Sequence, residues 1–467
     1  MHRPRAVVLL ALVTCAALTH AQVPAPQPVD LLVTGGTVIT VDPERRVLTP
    51  GAVAIRGADI EAVGSPDELR QAYTPARVID ASGRVVMPGL INTHGHAPMV
   101  MYRGLADDLA LMDWLQQYIF PAEAKTVAPA FVRASTELAA VEMIRSGTTT
   151  YVDMYYFEEE IARVTRAAGL RGVLGETIIG FPSPDAKTPA DALSRTERFL
   201  EEFADDPLIT PAVAPHSMYL LDNAVLLACR ALAMKHQKPL LIHLAETEDE
   251  IKAARERFQA SPTAYLDRIG FWAPRTLAAH GVWVTDDDIA LLARAHVGLS
   301  HNPESNMKLA SGTAPVTKYL KAGVAVGLGT DGAASNNDLD MFDAMRQTAF
   351  LHKLATRDPR ALPAATVLEL ATLGGARALG MDRQVGSLER GKRADLLIVG
   401  MSSARQTPLY DPVSHLVYVT RGDDVETTIV HGKVLMEDRK VLTLDERRVL
   451  AEARRISEDV RRAVGRR

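Results

Sequence analysis

Between residues 29 and 87 apolar and β-branched positions alternate with polar ones in short runs, among them "DLLVTGGTVITVD", "GAVAIRGADIEAVG" and "ARVIDASGRVVMPG", broken by Gly, Asp and Pro. A period of two with turn residues at the ends predicts strands. The same signature returns near the other end in "ADLLIVG", "VSHLVYVTRGD" and "VETTIVHGKVLMEDRKV". One small composite β-domain, a sandwich built from residues 30–87 and 386–440, is therefore expected. Residues 441–467 are charged with a helical period, which predicts a solvated C-terminal helix.

The insert between the two halves, 88–385, has another rhythm. Eight short apolar runs each end in polar residues and precede an amphipathic stretch: "PGLINTH", "GTTTYVDMY", "RGVLGETI", "ITPAVAPHS", "PLLIHLAET", "TLAAHGV", "HVGLSHNP" and "AVGLGTDG". Eight strands alternating with helices spell an α/β fold, a TIM-like (β/α)8 barrel. The competing open doubly wound sheet would need a Gly-rich phosphate loop after a strand, and none follows.

Composition changes this picture only at the start of the chain. The sequence has 467 residues, 47% hydrophobic and 23% charged, with a net charge of -5, which gives no reason to expect nucleic acid or an anionic membrane as a partner. "MHRPR", the apolar run "AVVLLALVTCAAL" and the small residues of "THAQ" follow the plan of a secretory signal over residues 1–21, and "PAPQP" reads as part of a linker over 22–29. The expectation is an exported, periplasmic or secreted protein, off the membrane once the signal is removed. A lipid on Cys15 is disfavoured, because Thr14 is larger than the residue usual before such a cysteine. Cys229 alone then remains of the two cysteines, so no intrachain disulfide can form and stability must come from packing.

The strand ends carry the candidate chemistry. In a barrel of this kind they converge on one mouth, and there lie His94, His96, His216, His243, Glu246, His280, His301 and Asp331. A lone histidine at a strand end is usually structural, and one H-x-H pair among 13 histidines is weak evidence. Several on one rim point to a metal-assisted hydrolase. Imidazoles plus one carboxylate suit Zn2+, with Fe2+ as the alternative ion, and a catalytic site keeps a position open for water. No lysine at the end of the fourth or fifth strand is available for carbamylation, which favours one metal over two.

These pieces resemble the amidohydrolase superfamily, in its cytosine deaminase-like branch. The resemblance is nearest to the methylthioadenosine/S-adenosylhomocysteine deaminase group. It runs through "PGLINTHGHAPMVMYRGLADDLALMDWL", "FPAE", "SGTTTYVDMY", "APHSMYL", "IHLAET", "AAHGVW", "LSHNPESNMKLASG" and "GLGTDGAASNNDLDMF", and "GSLERGKRADLLIV" extends it into the β-domain. It implies a zinc-dependent deaminase of an aminopurine nucleoside that releases ammonia. His94, His96, His243 and Asp331 resemble the metal ligands. Asp331 would also take a proton from water, His280 would orient that water and steady negative charge, and Glu246 would be the proton shuttle. Glu123 corresponds to a ribose-binding acid and His216 to a donor to a purine nitrogen. Ser335 and Asn306 stand in matching loops, and Trp114 and Met112 are candidates for the wall around the 5′ group.

Two features depart from the group. Relatives that accept S-adenosylhomocysteine place arginines on its amino-acid carboxylate. Here the corresponding loop, "GFPSPDAKTPADALSR", offers only Lys187 or Arg195, and Arg171 fits the entry of a strand better. The export signal also suits scavenging of released nucleosides or bases. A free heterocycle (guanine, oxidised purine, pterin or triazine) is thus the alternative substrate, and an inactive exported zinc- or ligand-binding barrel is the alternative of another class. A homo-oligomer is compatible with either.

Overall fold

The computed structural model describes residues 25–465. The expected signal, residues 1–21, lies outside them, as does the start of the 22–29 linker. The rest of that linker is partly strand: the first strand begins at Gln27 and runs to Ile39, its start paired in parallel with Tyr73–Asp80.

Eight parallel strands close into a barrel: Leu90–Asn92, Thr148–Tyr155, Arg171–Ile178, Ile209–Pro215, Leu240–Leu244, Thr276–His280, Gly298–His301 and Val326–Leu328. Each falls within one of the eight apolar runs read from the sequence, and Leu328 pairs with Asn92 to shut the ring. Below the mouth the barrel is filled, not hollow. Ile91, Val152, Val173, Ala212, Leu241 and Leu277 are buried in one cluster that plugs it. At about 1.5–3 kcal/mol per buried large aliphatic side chain, this plug is a substantial share of the stability of the barrel. It also makes a rigid floor for whatever the strand ends carry.

The two ends of the chain meet in one nine-stranded, mostly antiparallel sheet. Its N-terminal part is joined to its C-terminal part where Arg84–Pro88 pairs antiparallel with Leu396–Gly400. One of the expected strands is instead a helix. "VSHLVYV" is β-branched, but Asp411 caps Pro412–Tyr418 by accepting the Val413 and Ser414 N–H groups, and Pro412 stands at the first helical turn. Local capping outweighed strand propensity there, with Leu416 and Val417 supplying the buried side.

The C-terminal helix, Glu446–Ala463, is not merely solvated. Val449, Ala453, Ile456 and Val460 form an apolar stripe at helical spacing that packs on the helix Pro129–Ser146 of the barrel. Its arginines and acids occupy the other face.

Barrel and sheet are tied by a buried ion pair. Arg171, the first residue of the third barrel strand, donates from Nε to Asp395 Oδ2 at 2.9 Å, both side chains 3% exposed. Asp395 Oδ1 also accepts the His431 N–H at 2.7 Å. Removing the cation would strand a buried carboxylate. Arg171→Ala is therefore expected to destabilise the fold by roughly 3–5 kcal/mol, read as a lowered melting temperature. A melt unchanged from the parent would contradict it.

Candidate active site

The first barrel strand ends at Asn92, and the chain that leaves it carries His94 and His96 over the mouth. His243 lies on the fifth strand, His280 ends the sixth, and Asp331 follows the eighth. His280 and Asp331 hold φ values of 76° and 64°, the left-handed region, which costs on the order of 1 kcal/mol for a residue with a Cβ. The surroundings impose these turns. Gly329, two residues before Asp331, sits so close to its neighbours that a Cβ would lie 2.5 Å from Asn302 Oδ1 and 2.9 Å from His94 N.

The four expected ligands converge. Asp331 Oδ1 lies 3.3 Å from His96 Nε2 and 3.5 Å from His94 Nε2. The ligand atoms of His94, His96 and His243 are all within 4.8 Å of one another. Donors about 2.1 Å from a tetrahedral ion would stand about 3.4 Å apart, so the Asp331 spacings fit one ion at this point. The tautomers fit as well. His96 donates Nδ1–H to the Met154 carbonyl at 2.7 Å, and His243 donates Nδ1–H to the His216 carbonyl at 2.8 Å. Each turns its Nε2 inward, the outer-shell arrangement that orients metal-binding imidazoles, and the Asp331 carboxylate raises the His96 pKa to about 9, a proton that an ion would displace. His94 Nε2 is buried and has no hydrogen-bond partner, and burial lowers its pKa to about 4, so a neutral ring keeps a free lone pair. For Asp331 burial opposes the charge, but His94 and His96 hold its carboxyl well below the ordinary range.

Around this cluster opens a cavity lined by His96, His216, His243, Glu246, His280, Asp331 and Ser335, with Glu123 and Trp114 among its other walls. Glu246 Oε2 is 3.8 Å from His280 Nε2, and burial raises the Glu246 pKa. Glu123 accepts the Tyr155 hydroxyl at 2.7 Å, and burial pushes its carboxyl up to about 7. Burial lowers His216 to about 3, helped by the neighbouring imidazoles, so the ring is neutral.

Not every candidate belongs here. His301 ends the seventh strand but is fully buried away from the cavity, its Nε2 3.2 Å from His352 Nε2, and it serves packing. Met112 is 37% exposed and lies outside the cavity, whereas Trp114 lines it: the short helix Leu111–Trp114 turns successive side chains to different sides. Asn306 does not line the cavity. It accepts the His280 Nδ1–H at 2.9 Å and so sets the ring. Lys187 is exposed and away from the cavity. Arg195 is engaged by Glu159 and Glu176 at 2.9 and 3.1 Å.

Sequence reasoning missed the supports. Glu250 is buried and accepts the N–H groups of Ala245 and Glu246 at 3.1 and 2.9 Å, clamping the turn that carries Glu246. The signal was present, since Thr247 with a glutamate three residues on is a helix-start pattern. Ser305, whose hydroxyl donates to Asp331 Oδ2 at 2.7 Å, gave no comparable signal.

Residues 85–435 match the amidohydrolase family. The chain belongs to that family. An amidohydrolase called 5-methylthioadenosine/S-adenosylhomocysteine deaminase, from Syntrophobacter fumaroxidans, is 49% identical over 432 residues, covering 92% of this chain and 98% of its own. A 5′-deoxyadenosine deaminase from Methanosarcina mazei is 45% identical over 433 residues, covering 92% and 98%. Among solved structures, a zinc-bound adenosine deaminase from Xanthomonas campestris superposes with a TM-score of 0.92 at 40% identity, covering 94% of this chain and all of that one.

Proposed function

We propose that this amidohydrolase is a zinc-dependent deaminase that replaces the 6-amino group of an adenine nucleoside by oxygen and releases ammonia. The observation that carries the reading is the meeting, at one cavity, of the His94/His96/His243/Asp331 cluster with a buried Glu246 whose pKa is raised and, among the other walls, Glu123. The curated relatives named for adenine nucleosides support it.

His94, His96, His243 and Asp331 would hold the ion, which supplies Lewis acidity and brings the pKa of water towards neutrality. The remaining steps fall to side chains. Asp331, steadied by the Ser305 hydroxyl, takes a proton from the attacking water. His280 has its Nδ1–H committed to Asn306, so its Nε2 lone pair can accept a hydrogen bond from that water and aim it. Glu246, whose acid form burial favours, gives its proton to the ring nitrogen beside the attacked carbon. The C–O bond forms, the proton taken up by Asp331 passes to the amino group, the C–N bond breaks with ammonia leaving, and the adduct's hydroxyl proton passes to Glu246 as that oxygen becomes a carbonyl. Glu246 and Asp331 end the cycle as they began it.

Loss of adenine absorbance together with stoichiometric ammonia from 5′-methylthioadenosine or 5′-deoxyadenosine is the expected result for the zinc-loaded protein. Neither signal from any adenine nucleoside would refute the proposal. Glu123 separates it from the free-heterocycle reading. In this reading its carboxyl group accepts ribose hydroxyls, so Glu123→Gln is expected to lower kcat/KM for nucleosides about tenfold or more and to leave free bases unaffected. Equal loss on both would remove the ribose role.

A further inference from the structure

The cavity has two chemically different ends. One carries the His/Asp cluster. The other is walled by Leu111, Trp114, Leu115, Ile119 and Phe120, all carbon-rich and on the same helical stretch that leads into Glu123. Among the described residues that line the cavity there is no lysine and no arginine.

The cations nearby in sequence do not reach the cavity: Lys187 is exposed outside its lining, and the others are engaged. Arg195 holds Glu159 and Glu176 and lies 3.6 Å from Asp185, so three carboxylates share one guanidinium. Lys308 is bound to Asp107 and Asn337. Glu176 precedes Thr177, which does line the cavity, and keeps Arg195 on the side of the strand away from it.

Outside the apolar end the surface does not supply the missing charge. Leu111 and Leu309 are shared between the cavity and an outer groove whose charged lining residues are Asp113, Glu248 and Asp249. Lys252 pairs with Glu248 and Asp249 from outside that lining. A substituent long enough to pass Leu111 would meet acids. An ammonium could be received there. A carboxylate would lose its hydration without gaining a cation.

We propose that the end of the cavity formed by Leu111, Trp114 and Phe120 rejects a carboxylate on the 5′ substituent of the nucleoside, so that 5′-methylthioadenosine and 5′-deoxyadenosine are accepted and S-adenosylhomocysteine is turned away. This rests on the adenine-nucleoside reading given above. The selectivity is by charge and not by length: among the described residues, neither the cavity nor the groove that shares Leu111 and Leu309 with it has a lysine or arginine in its lining.

Binding separates the two ideas. The zinc-loaded Glu246→Gln protein, titrated by calorimetry, is compared with four thioadenosines carrying 5′-methyl, 5′-butyl, 5′-(3-carboxypropyl) and 5′-homocysteinyl groups. The methyl and butyl compounds are expected to bind within about fivefold of each other, and both carboxylates at least about a hundredfold more weakly. S-adenosylhomocysteine binding within tenfold of the butyl compound overturns the proposal. So does a butyl compound excluded as strongly as the acids, since length would then be the cause. Ammonia release by the parent protein is read in parallel. Selective binding without ammonia refutes the deaminase reading and leaves the selectivity standing, whereas no binding of any nucleoside sinks both. In a second variant, Leu111→Arg, S-adenosylhomocysteine is expected to gain about tenfold or more relative to the butyl compound. No gain in a variant with an unchanged melting temperature would show that the amino-acid group lies elsewhere, and overturns the assignment of this end.

Discussion

Glu246→Gln is expected to lower kcat by about a thousandfold while KM for a nucleoside stays within a few-fold of the parent. Glutamine matches glutamate in size and can still donate a hydrogen bond to a ring nitrogen, so binding survives. It cannot give up a proton and take one back, so transfer fails. A thousandfold is roughly 4 kcal/mol of barrier, the upper part of what positioned acid–base groups supply. The pH profile adds a test with a definite sign. Burial raises the Glu246 pKa, so the acid form persists to higher pH than an exposed glutamate would allow. Activity that needs that proton is full below the raised pKa and falls as pH climbs through it. The residual activity of Glu246→Gln should lack this alkaline limb. A variant that keeps the limb, or loses less than tenfold, would move the proton shuttle to another group.

The barrel was legible because each strand is a short, nearly continuous apolar run, the mark of strands buried on both faces, and because its end is punctuated by His, Asp or Glu. The composite sheet was legible from period-two alternation at both termini. What failed to read correctly were segments decided by a cap or by a partner. "VSHLVYV" looks like a strand until Asp411 and Pro412 are seen to start a helix. The C-terminal helix looked solvated because its charges dominate its composition, although four small and aliphatic residues at helical spacing bury one side.

Within the site, spacing alone could not tell His301 from His280, since both end barrel strands. The difference is where each ring points and what it meets: His352 in one case, Asn306 and the cavity in the other. Glu250 sits four residues after Glu246 and reaches back to the backbone of that turn, so it shapes the site without lining it. Such supports depend on three-dimensional return contacts, which a linear pattern shows only when they coincide with a helix start. Arg195 shows the converse. It is a plausible carboxylate-binding arginine by position, and its own acids have taken it.

Stripping the divalent ion with a chelator is expected to abolish turnover and to lower the melting temperature, and adding Zn2+ back to restore both. The structural reason lies in the ion-free cluster itself. His94 Nε2 is a buried acceptor with nothing donating to it, which costs about 1–3 kcal/mol. The buried Asp331 charge is met by His96, whose pKa it raises to about 9, and by the Ser305 hydroxyl and the Gly332 N–H, so without an ion a proton stands where the ion would. An ion at this point takes the His94 lone pair and displaces that proton, and because it binds the folded chain alone it stabilises by roughly 4 kcal/mol at a free concentration a thousand times its Kd. Asp331→Asn removes the anionic ligand and should lose most of the metal-dependent rise in melting temperature, which distinguishes a ligand from a residue needed only for proton transfer. The His301→Gln variant provides the contrast, because His301 packs on His352 outside the cavity: it should melt lower with or without the ion and keep the full ion-dependent rise. An ion-dependent rise that survives Asp331→Asn unchanged would place the ion elsewhere. Restoration by Fe2+ and not by Zn2+ would keep the site and change its occupant.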